Sequence, residues 1–246
     1  WCWKAGTSYT PTVTGFTSPS ASINTEAGFG IYTFTGNNVA SSFTHGLDST
    51  PELIIARNRT TASDWAVFGP TGSSSTPTAT DTYLRLNETT DANKNGTQIL
   101  TGNTSTTVSV ASFGNTAASD DYVYYLWHSV EGFSKIGRYT GNGNSDGPFI
   151  YTGFKPAFIL FKAPNATSDW FIYDAGRFPN NSVTQILRAN SSGGESGTGN
   201  DIDFLSNGFK IRNTGSSVNT NGTAYLYMAF AEHPFGGENV PPATAR

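Results

Sequence analysis

Charge, cysteine and long apolar runs are scarce in this sequence. Charged residues make up 13% of its 246 residues, about half the share of an average globular domain. Cys2 is the single cysteine, which excludes an internal disulfide and a cysteine-based zinc site. Such a chain suits folding in a reducing cytoplasm better than export as a disulfide scaffold. The longest apolar run, 157–161, is far too short to span a bilayer, so we expect no membrane insertion.

The sequence also has no cluster of Lys or Arg, and its formal net charge is −4. Because the electrostatic footprint of a nucleic-acid-binding protein is missing, we expect no nucleic-acid partner. The opening residues Trp1-Cys2-Trp3-Lys4 have neither the basic start nor the apolar stretch of a signal peptide. A native chain rarely begins with Trp, so we do not expect residue 1 to be the true start of translation.

Ser, Thr, Asn and Gly take the place of the charges, while aromatic residues still make up 13%. A disordered chain would lack these aromatics and the β-branched runs, so we expect this one to fold. Short runs such as 53–56, 65–68 and 122–126 are bounded by Gly, Pro, Asn or Ser, which is typical of strands. No window of ten residues keeps a helical period without such a break. The predicted fold class is therefore all-β, with β-sandwich (jelly-roll-like) modules.

The sequence repeats itself at an interval of about a hundred residues. The first matches have an offset of 105, and later ones have offsets of 103 and 102, as small loop deletions would produce. The matching segments are Phe34–Asn37 with Tyr139–Asn142, Pro51–Ile54 with Pro156–Ile159, Ser63–Trp65 with Ser168–Trp170, Leu84–Asn87 with Leu187–Asn190, and Tyr124–Phe133 with Leu226–Phe235. Five matches in the same order predict two tandem homologous modules.

The repeat divides the chain into four predicted regions. Residues 1–26 are the end of a preceding strand followed by an extended N-terminal arm rich in Ser, Thr and Pro. Residues 27–133 and 134–235 are the two β-sandwich modules, and 236–246 form an extended C-terminal tail. Because the copies share mostly core and turns, we expect partner recognition in the loops that they do not share. Those loops are 69–80, 91–103 and 191–200.

Several longer segments are similar to those of one protein family. They are Tyr139–Gly143, Gly147–Pro156, Ile202–Arg212, Tyr225–Glu232 and the closing Pro-Ala-Thr-Ala-Arg. The chain resembles a family of tailed-bacteriophage structural proteins of marine and cyanobacterial phages, often labelled as tail-fibre or lectin-like β-sandwich proteins. The resemblance covers nearly the whole chain. It implies a virion component without established catalytic residues, and a chain that is the C-terminal part of a larger protein or follows a further upstream segment.

An Asp-Trp pair occurs in both copies, as Asp64-Trp65 and Asp169-Trp170. An exposed Trp beside a carboxylate can stack on a sugar ring and anchor it, so these four residues are candidates for glycan binding. The alternative is that each Trp anchors the core of its module, while each Asp holds a turn or pairs with Arg85 or Arg188. Retention in both copies favours the structural alternative.

Metal binding has one weak candidate. Asp91, Asn93 and Asn95 begin a segment with the Asp-x-Asn-x-Asn-Gly start of a calcium loop. Gly102 stands where the bidentate Glu should be, and Lys94 adds a positive charge inside the loop. The segment 142–147 is a similar near miss. In a chain so rich in Asn, turns are the commoner explanation, and we predict no metal and no cofactor.

Catalytic motifs are not evident. The three histidines His45, His128 and His233 occur without a Gly-x-Ser-x-Gly elbow, and we expect them to be structural or on the surface. The carboxylates of 120–121 and 201–203 lie in loops or strand starts that any sandwich would have, although a hidden glycan hydrolase stays open as an alternative.

The sequence thus predicts a non-catalytic bacteriophage virion structural protein. We expect a tail-fibre or surface-fibre component involved in host adhesion, on the virion surface after assembly in the host cytoplasm and release by lysis. Its predicted partners are other copies of itself, other virion proteins and host surface glycans. There are two alternatives. One is a capsid (head) decoration protein, and the other is a carbohydrate-binding or glycan-hydrolysing module.

Overall fold

The structure, a computed structural model, describes residues 3–72, 74–79, 82–90, 99–112 and 117–232. Within these residues the chain is all-β with several antiparallel sheets, as the sequence predicts. The exception is one helical turn, α1 (Ser216–Asn219). No helix in the described part of the chain is long and apolar enough to cross a bilayer.

The chain forms two compact units. The first contains Trp1–Leu86 and Ala92–His128, and the second contains Asn87–Asp91 and Ser129–Arg246. The modules predicted from the repeat, 27–133 and 134–235, are defined by matching sequence, and these limits stay predictions. In the structure the N-terminal arm belongs to the first unit, and the short segment 87–91 belongs to the second.

Among the described residues, the first unit contains eleven strands. They are β1 (Thr7–Tyr9), β2 (Val13–Thr14), β3 (Thr17–Asn24), β4 (Phe29–Thr35), β5 (Ser41–Thr44), β6 (Leu53–Asn58), β7 (Ala66–Phe68), β8 (Leu84–Arg85), β9 (Leu100–Asn103), β10 (Thr107–Val110) and β11 (Asp121–Trp127). One sheet has the order β1-β3-β4-β11-β6-β7-β8, and the other has the order β2-β5-β10-β9. Side chains from both sheets, among them Tyr32, Phe43 and Tyr124, form one core.

The described part of the second unit contains eight strands. They are β12 (Ser134–Thr140), β13 (Phe149–Tyr151), β14 (Pro156–Lys162), β15 (Phe171–Asp174), β16 (Val183–Arg188), β17 (Ser196–Leu205), β18 (Gly208–Ile211) and β19 (Ala224–Ala231). They form a single sheet with the order β12-β19-β14-β15-β16-β17-β18-β13. Its two ends share one core, because Tyr139 of β12 and Ile150 of β13 belong to the same cluster.

The strand order is the same in the two units. The series β4-β11-β6-β7-β8 of the first unit corresponds to β12-β19-β14-β15-β16 of the second, and β5-β10-β9 corresponds to β13-β18-β17. The first unit has three further strands, β1 to β3, which come from the N-terminal arm. β3 pairs with the edge of β4 and β2 pairs with the edge of β5. The corresponding strands β12 and β13 are the two terminal strands of the second unit's sheet.

Strand pairing corrects the predicted alignment of the last strand. Phe34 pairs with Tyr122, and its equivalent Tyr139 pairs with Tyr225, so the offset is 225 − 122 = 103 and not 102. A slip of one residue would exchange the two faces of a strand. The hydroxyl oxygens of Tyr122 and Tyr225 each accept a hydrogen bond of 2.9 Å from the backbone N–H five residues upstream, in Ala117 and Thr220.

Candidate functional site

The first predicted Asp-Trp pair lies immediately before β7. Asp64 forms an ion pair with Arg85, with 3.1 Å between Oδ2 and Nε. Trp65 is half-buried, and the guanidinium carbon of Arg57 lies 4.8 Å from its ring centroid. Arg57 therefore occupies one side of the ring by a cation–π contact, and Trp65 presents much less of its ring to a ligand than an open stacking site requires.

The second pair occupies the same place before β15 but is more completely enclosed. Trp170 is 1% exposed, which leaves no ring face for a sugar. Its backbone N–H donates to Asn190 Oδ1, and Asn190 Nδ2 donates to Asp169 Oδ1. Arg188 Nε donates to Asp169 Oδ2 at 2.7 Å. Asp169 thus holds the β15–β16 corner together, in the Asp–Arg arrangement that the structural alternative proposed.

Trp170 is among the largest fully buried side chains of the chain, although it lies outside the core cluster that contains its neighbour Phe171. The following residue, Phe171, belongs to the core cluster, so alternation along the strand places Trp170 on the opposite face of the sheet. Near that corner, Thr89 of the segment 87–91 accepts hydrogen bonds from Lys162 Nζ at 2.9 Å and from Ser168 N–H at 3.0 Å.

Exposed aromatic residues lie elsewhere, on β13. Phe149 is 44% exposed and Tyr151 is 66% exposed, while Ile150 between them is buried. Because successive side chains of a strand point to opposite faces, both aromatic rings lie on the outer face of the sheet. We call these two residues the β13 aromatic pair. The three-residue strand is too short for alternation to indicate exposure from sequence, which is why sequence reasoning missed it.

The neighbouring strands set the geometry around the β13 aromatic pair. Phe149 pairs with Lys210 of β18 and Tyr151 pairs with Gly208. A Cβ atom at Gly208 would lie 3.0 Å from Cε2 and Cζ of Phe149. The ring of Phe149 therefore lies over the backbone at Gly208, in space that any larger residue would need.

Charged groups of both signs surround the pair. Lys210 Nζ lies 2.9 Å from Asp146 Oδ1 and also donates to the Gly147 carbonyl. The hydrogen bond from Lys210 lowers the pKa of the exposed Asp146 carboxyl. In β17, Asp203 pairs with Lys210 across the strands and accepts a hydrogen bond from Arg212 Nε. Two ring faces beside hydrogen-bonding groups of this kind can stack on a sugar ring and bind its hydroxyls.

Asp146 is presented by the turn that the sequence marked as a calcium near miss. Asn142 Oδ1 accepts a hydrogen bond from Asn144 N–H, and Asn144 Oδ1 accepts one from Asp146 N–H. Asn219 Nδ2 donates to Asn142 Oδ1. The side-chain amides thus close the turn by hydrogen bonds. The better calcium candidate, Asp91, Asn93 and Asn95, lies outside the described residues, and no cluster of metal-ligating side chains occurs within them.

His45 has both ring nitrogens engaged inside the first unit. Nδ1 accepts a hydrogen bond from Leu47 N–H at 3.1 Å, which fixes Nε2 as the donor to the Thr104 carbonyl at 3.2 Å. Burial lowers the pKa of His45, the Thr104 carbonyl partly offsets this, and His128 lowers it further. A neutral, fully bonded histidine is suited to a structural role. His233 lies outside the described residues.

Comparison with known proteins yields one family. The model of the family described as "Domain of unknown function (DUF7483)" matches residues 1–234, which span both compact units. Neither the curated proteins nor the solved structures contain a match to the chain. The chain therefore belongs to the DUF7483 family.

Proposed function

We propose that this chain is a non-catalytic structural and adhesion component of a bacteriophage virion surface, in which the β13 aromatic pair binds host glycans. The observation that carries the adhesion part is the exposure of Phe149 (44%) and Tyr151 (66%) on one face of a sheet, beside the Asp146–Lys210 ion pair. Exposed aromatics of this kind on an otherwise polar surface are typical of ligand contacts.

The structural part of the proposal rests on low charge and on extensive strand pairing. A particle exposed outside a cell benefits from a surface of hydroxyl and amide groups on a rigid scaffold. The segments similar to tailed-phage structural proteins, such as 147–156 and 202–212, favour a tail fibre or surface fibre. A head decoration protein is the alternative within the same class, and it would use the same scaffold.

We further propose that the two units are tandem homologous β-sandwich modules, with jelly-roll-like topology, that arose by duplication. Their common strand order supports this, as do the equivalent Asp–Arg ion pairs, Asp64–Arg85 and Asp169–Arg188. A chance similarity of fold would not be expected to repeat an ion pair at the same strand corner.

Hydrolysis of glycans is less favoured than binding. A glycosidase needs one carboxyl group that holds a proton at neutral pH. Beside the β13 aromatic pair, the carboxylates of Asp146 and Asp203 are both paired with cations, Lys210 and Arg212. The hydrogen bond from Lys210 lowers the pKa of Asp146, which keeps this carboxylate ionised and suited to accept hydrogen bonds from sugar hydroxyls.

A glycan array tests the adhesion part. Changing Phe149 and Tyr151 together to Ala should abolish retention of any glycan that the chain binds, because the stacking surface is removed. Val39→Ala is the matched control, since Val39 is an equally exposed apolar residue, 44%, elsewhere on the chain. Binding that survives the double change would contradict the assignment, and loss with Val39→Ala would indicate nonspecific adhesion.

Labelling of intact particles tests the virion part. Antibody raised against the chain, imaged on particles by electron microscopy, should fall on the tail or its fibres. Label on the head would contradict a tail-fibre location and would favour a head decoration protein. Particles without any label, alongside a labelled known coat protein, would rule out the virion proposal.

A further inference from the structure

The outer edge of β13 presents backbone groups that pair with no strand in the described part of the chain. On its inner side, the Pro148 carbonyl accepts from Ile211 N–H, and Thr152 N–H donates to the Asn207 carbonyl. Backbone groups alternate in direction along an antiparallel strand. The N–H and C=O groups of Phe149 and Tyr151 therefore point away from β18, toward the side on which no described strand lies.

The equivalent edge of the first unit is covered by a strand. Phe43 of β5 pairs with Val108 of β10, as Ile150 of β13 pairs with Phe209 of β18, so Thr44 corresponds to Tyr151. Thr44 N–H donates to the Thr12 carbonyl at 3.0 Å, and β2 pairs antiparallel with β5. An edge of this geometry thus accepts an added antiparallel strand.

The sequence of β13 is also suited to pairing. Edge strands are usually protected by charged residues or by Pro. β12, the other terminal strand of the same sheet, carries exposed Lys135 and Arg138. Phe149, Ile150 and Tyr151 include no charge, and their exposed side chains are aromatic.

We infer that β13 pairs antiparallel with β13 of a second copy of this chain, about a two-fold axis at Ile150. This register places Phe149 of each copy opposite Tyr151 of the other and forms about four backbone hydrogen bonds. The strand is complementary to itself, because it is uncharged and each aromatic residue meets an aromatic residue, which stabilises cross-strand pairs.

The pairing also extends the proposed adhesive surface. All four aromatic rings would lie on the same face of the joined sheets, with the Asp146–Lys210 pair of each copy nearby. The inference rests on strand geometry and does not require glycan binding, so either can fail without the other. With so few residues paired, the contact belongs to the weak, transient class of interfaces.

Sedimentation velocity of the full chain tests the inference. The mass should rise from 26.2 kDa toward twice that value as the concentration increases from about 10 μM to about 1 mM, the range of a weak contact. A mass that stays at the monomer value across this range would overturn it. If β13 instead pairs with a strand of a different protein, the purified chain will stay monomeric, and this result would also count against the inference.

Charge variants test the register. Phe149→Lys combined with Tyr151→Lys places like charges opposite each other, and it should keep the chain monomeric at every concentration. Phe149→Lys combined with Tyr151→Glu places opposite charges together and should restore the dimer. Failure of the second variant to dimerise, or dimerisation of the first at the wild-type concentration, would overturn the two-fold pairing.

The controls separate association from folding and from adhesion. Val39→Lys adds a charge at another exposed apolar position and should leave the mass at each concentration unchanged. Far-UV circular dichroism and the Tm of both double variants should match the wild type, since both side chains are on the surface. Both double variants lose the aromatic rings, so both should lose glycan binding while only one loses the dimer.

Discussion

Two equivalent tryptophans differ in how their units use them. Trp170 is 1% exposed, and its backbone is tied to the Asp169–Asn190 pair. Trp65 is half-buried beneath Arg57. Removal of the ring should therefore cost much more at position 170, where it leaves a cavity as well as lost contacts.

We expect Trp170→Ala to lower the free energy of unfolding by about 3–5 kcal/mol, the usual range for a buried Trp. Trp65→Ala should cost less than half as much. Urea denaturation followed by circular dichroism measures both, with Val39→Ala as a surface control. Equal costs at the two positions would contradict the difference in burial.

His45 should make the first unit sensitive to acid. Its pKa is lowered in the folded state by burial, whereas in the unfolded chain it returns to about 6.5. As the pH falls, His45 therefore binds a proton at a higher pH in the unfolded chain than in the folded chain. The contribution of neutral His45 to the stability of the folded state is complete above about pH 6.5 and is lost progressively below it.

When the Tm of the wild type is measured from pH 8 to pH 5, it should decrease once the pH is lower than about 6.5. His45→Gln cannot titrate, although its amide can still donate to the Thr104 carbonyl. This variant should start from a lower Tm at pH 8 and lose less of it on acidification. If the Tm of His45→Gln changes with pH as steeply as that of the wild type, the acid sensitivity comes from other groups.

At the scale of elements, the N-terminal arm is an integral part of the first unit. Phe16 stacks on Phe34 with centroids 4.7 Å apart, and Ala21 and Ile23 enter the same core. The arm therefore adds side chains to the core as well as pairing with the edges of β4 and β5. Composition alone predicts an extended arm but not its pairing, because a Ser/Thr/Pro-rich segment can be a free linker or an edge strand.

Phe16→Ala should detach part of this arm. We expect faster hydrogen exchange at the Thr44 amide, which donates to the Thr12 carbonyl, because opening of β2 exposes it. Amides of β14 in the second unit should keep their protection. Hydrogen exchange read by mass spectrometry or NMR distinguishes this from general destabilisation, in which the amides of both units would exchange faster.

Much of the fold could be predicted from the sequence, but the exposed site could not. Short runs such as 53–56 and 65–68 identified strands, and the repeated Asp64–Trp65 segment pointed to a corner with an ion pair. The final strand was misaligned by one residue, because Tyr124 matches both Leu226 and Tyr227 well by type. Phe149 and Tyr151 were missed because their exposure depends on β13 ending a sheet, which is a property of the topology.

At the scale of the whole molecule, the repeat makes a quantitative prediction. Tyr122 and Tyr225 are buried in separate cores, and each hydroxyl accepts a backbone N–H five residues upstream. If the units are homologous modules, this bond is a shared feature of both. Replacement of either Tyr by Phe leaves the same type of N–H group without its acceptor.

We expect Tyr122→Phe and Tyr225→Phe each to lower the free energy of unfolding by about 0.5–1.5 kcal/mol, the net contribution of a typical hydrogen bond, because both bonds are only partly buried. Tyr122→Phe should cost somewhat more, since its hydroxyl also contacts Asn58 Nδ2 at 3.3 Å. Because the two bonds lie in different cores, the double variant should lose the sum of the single costs, within about 0.5 kcal/mol. Denaturant titration of the four proteins, followed by tyrosine and tryptophan fluorescence, gives these values. A cost confined to one tyrosine would mean that the bond stabilises only one unit, and that the resemblance between the units is limited to strand order.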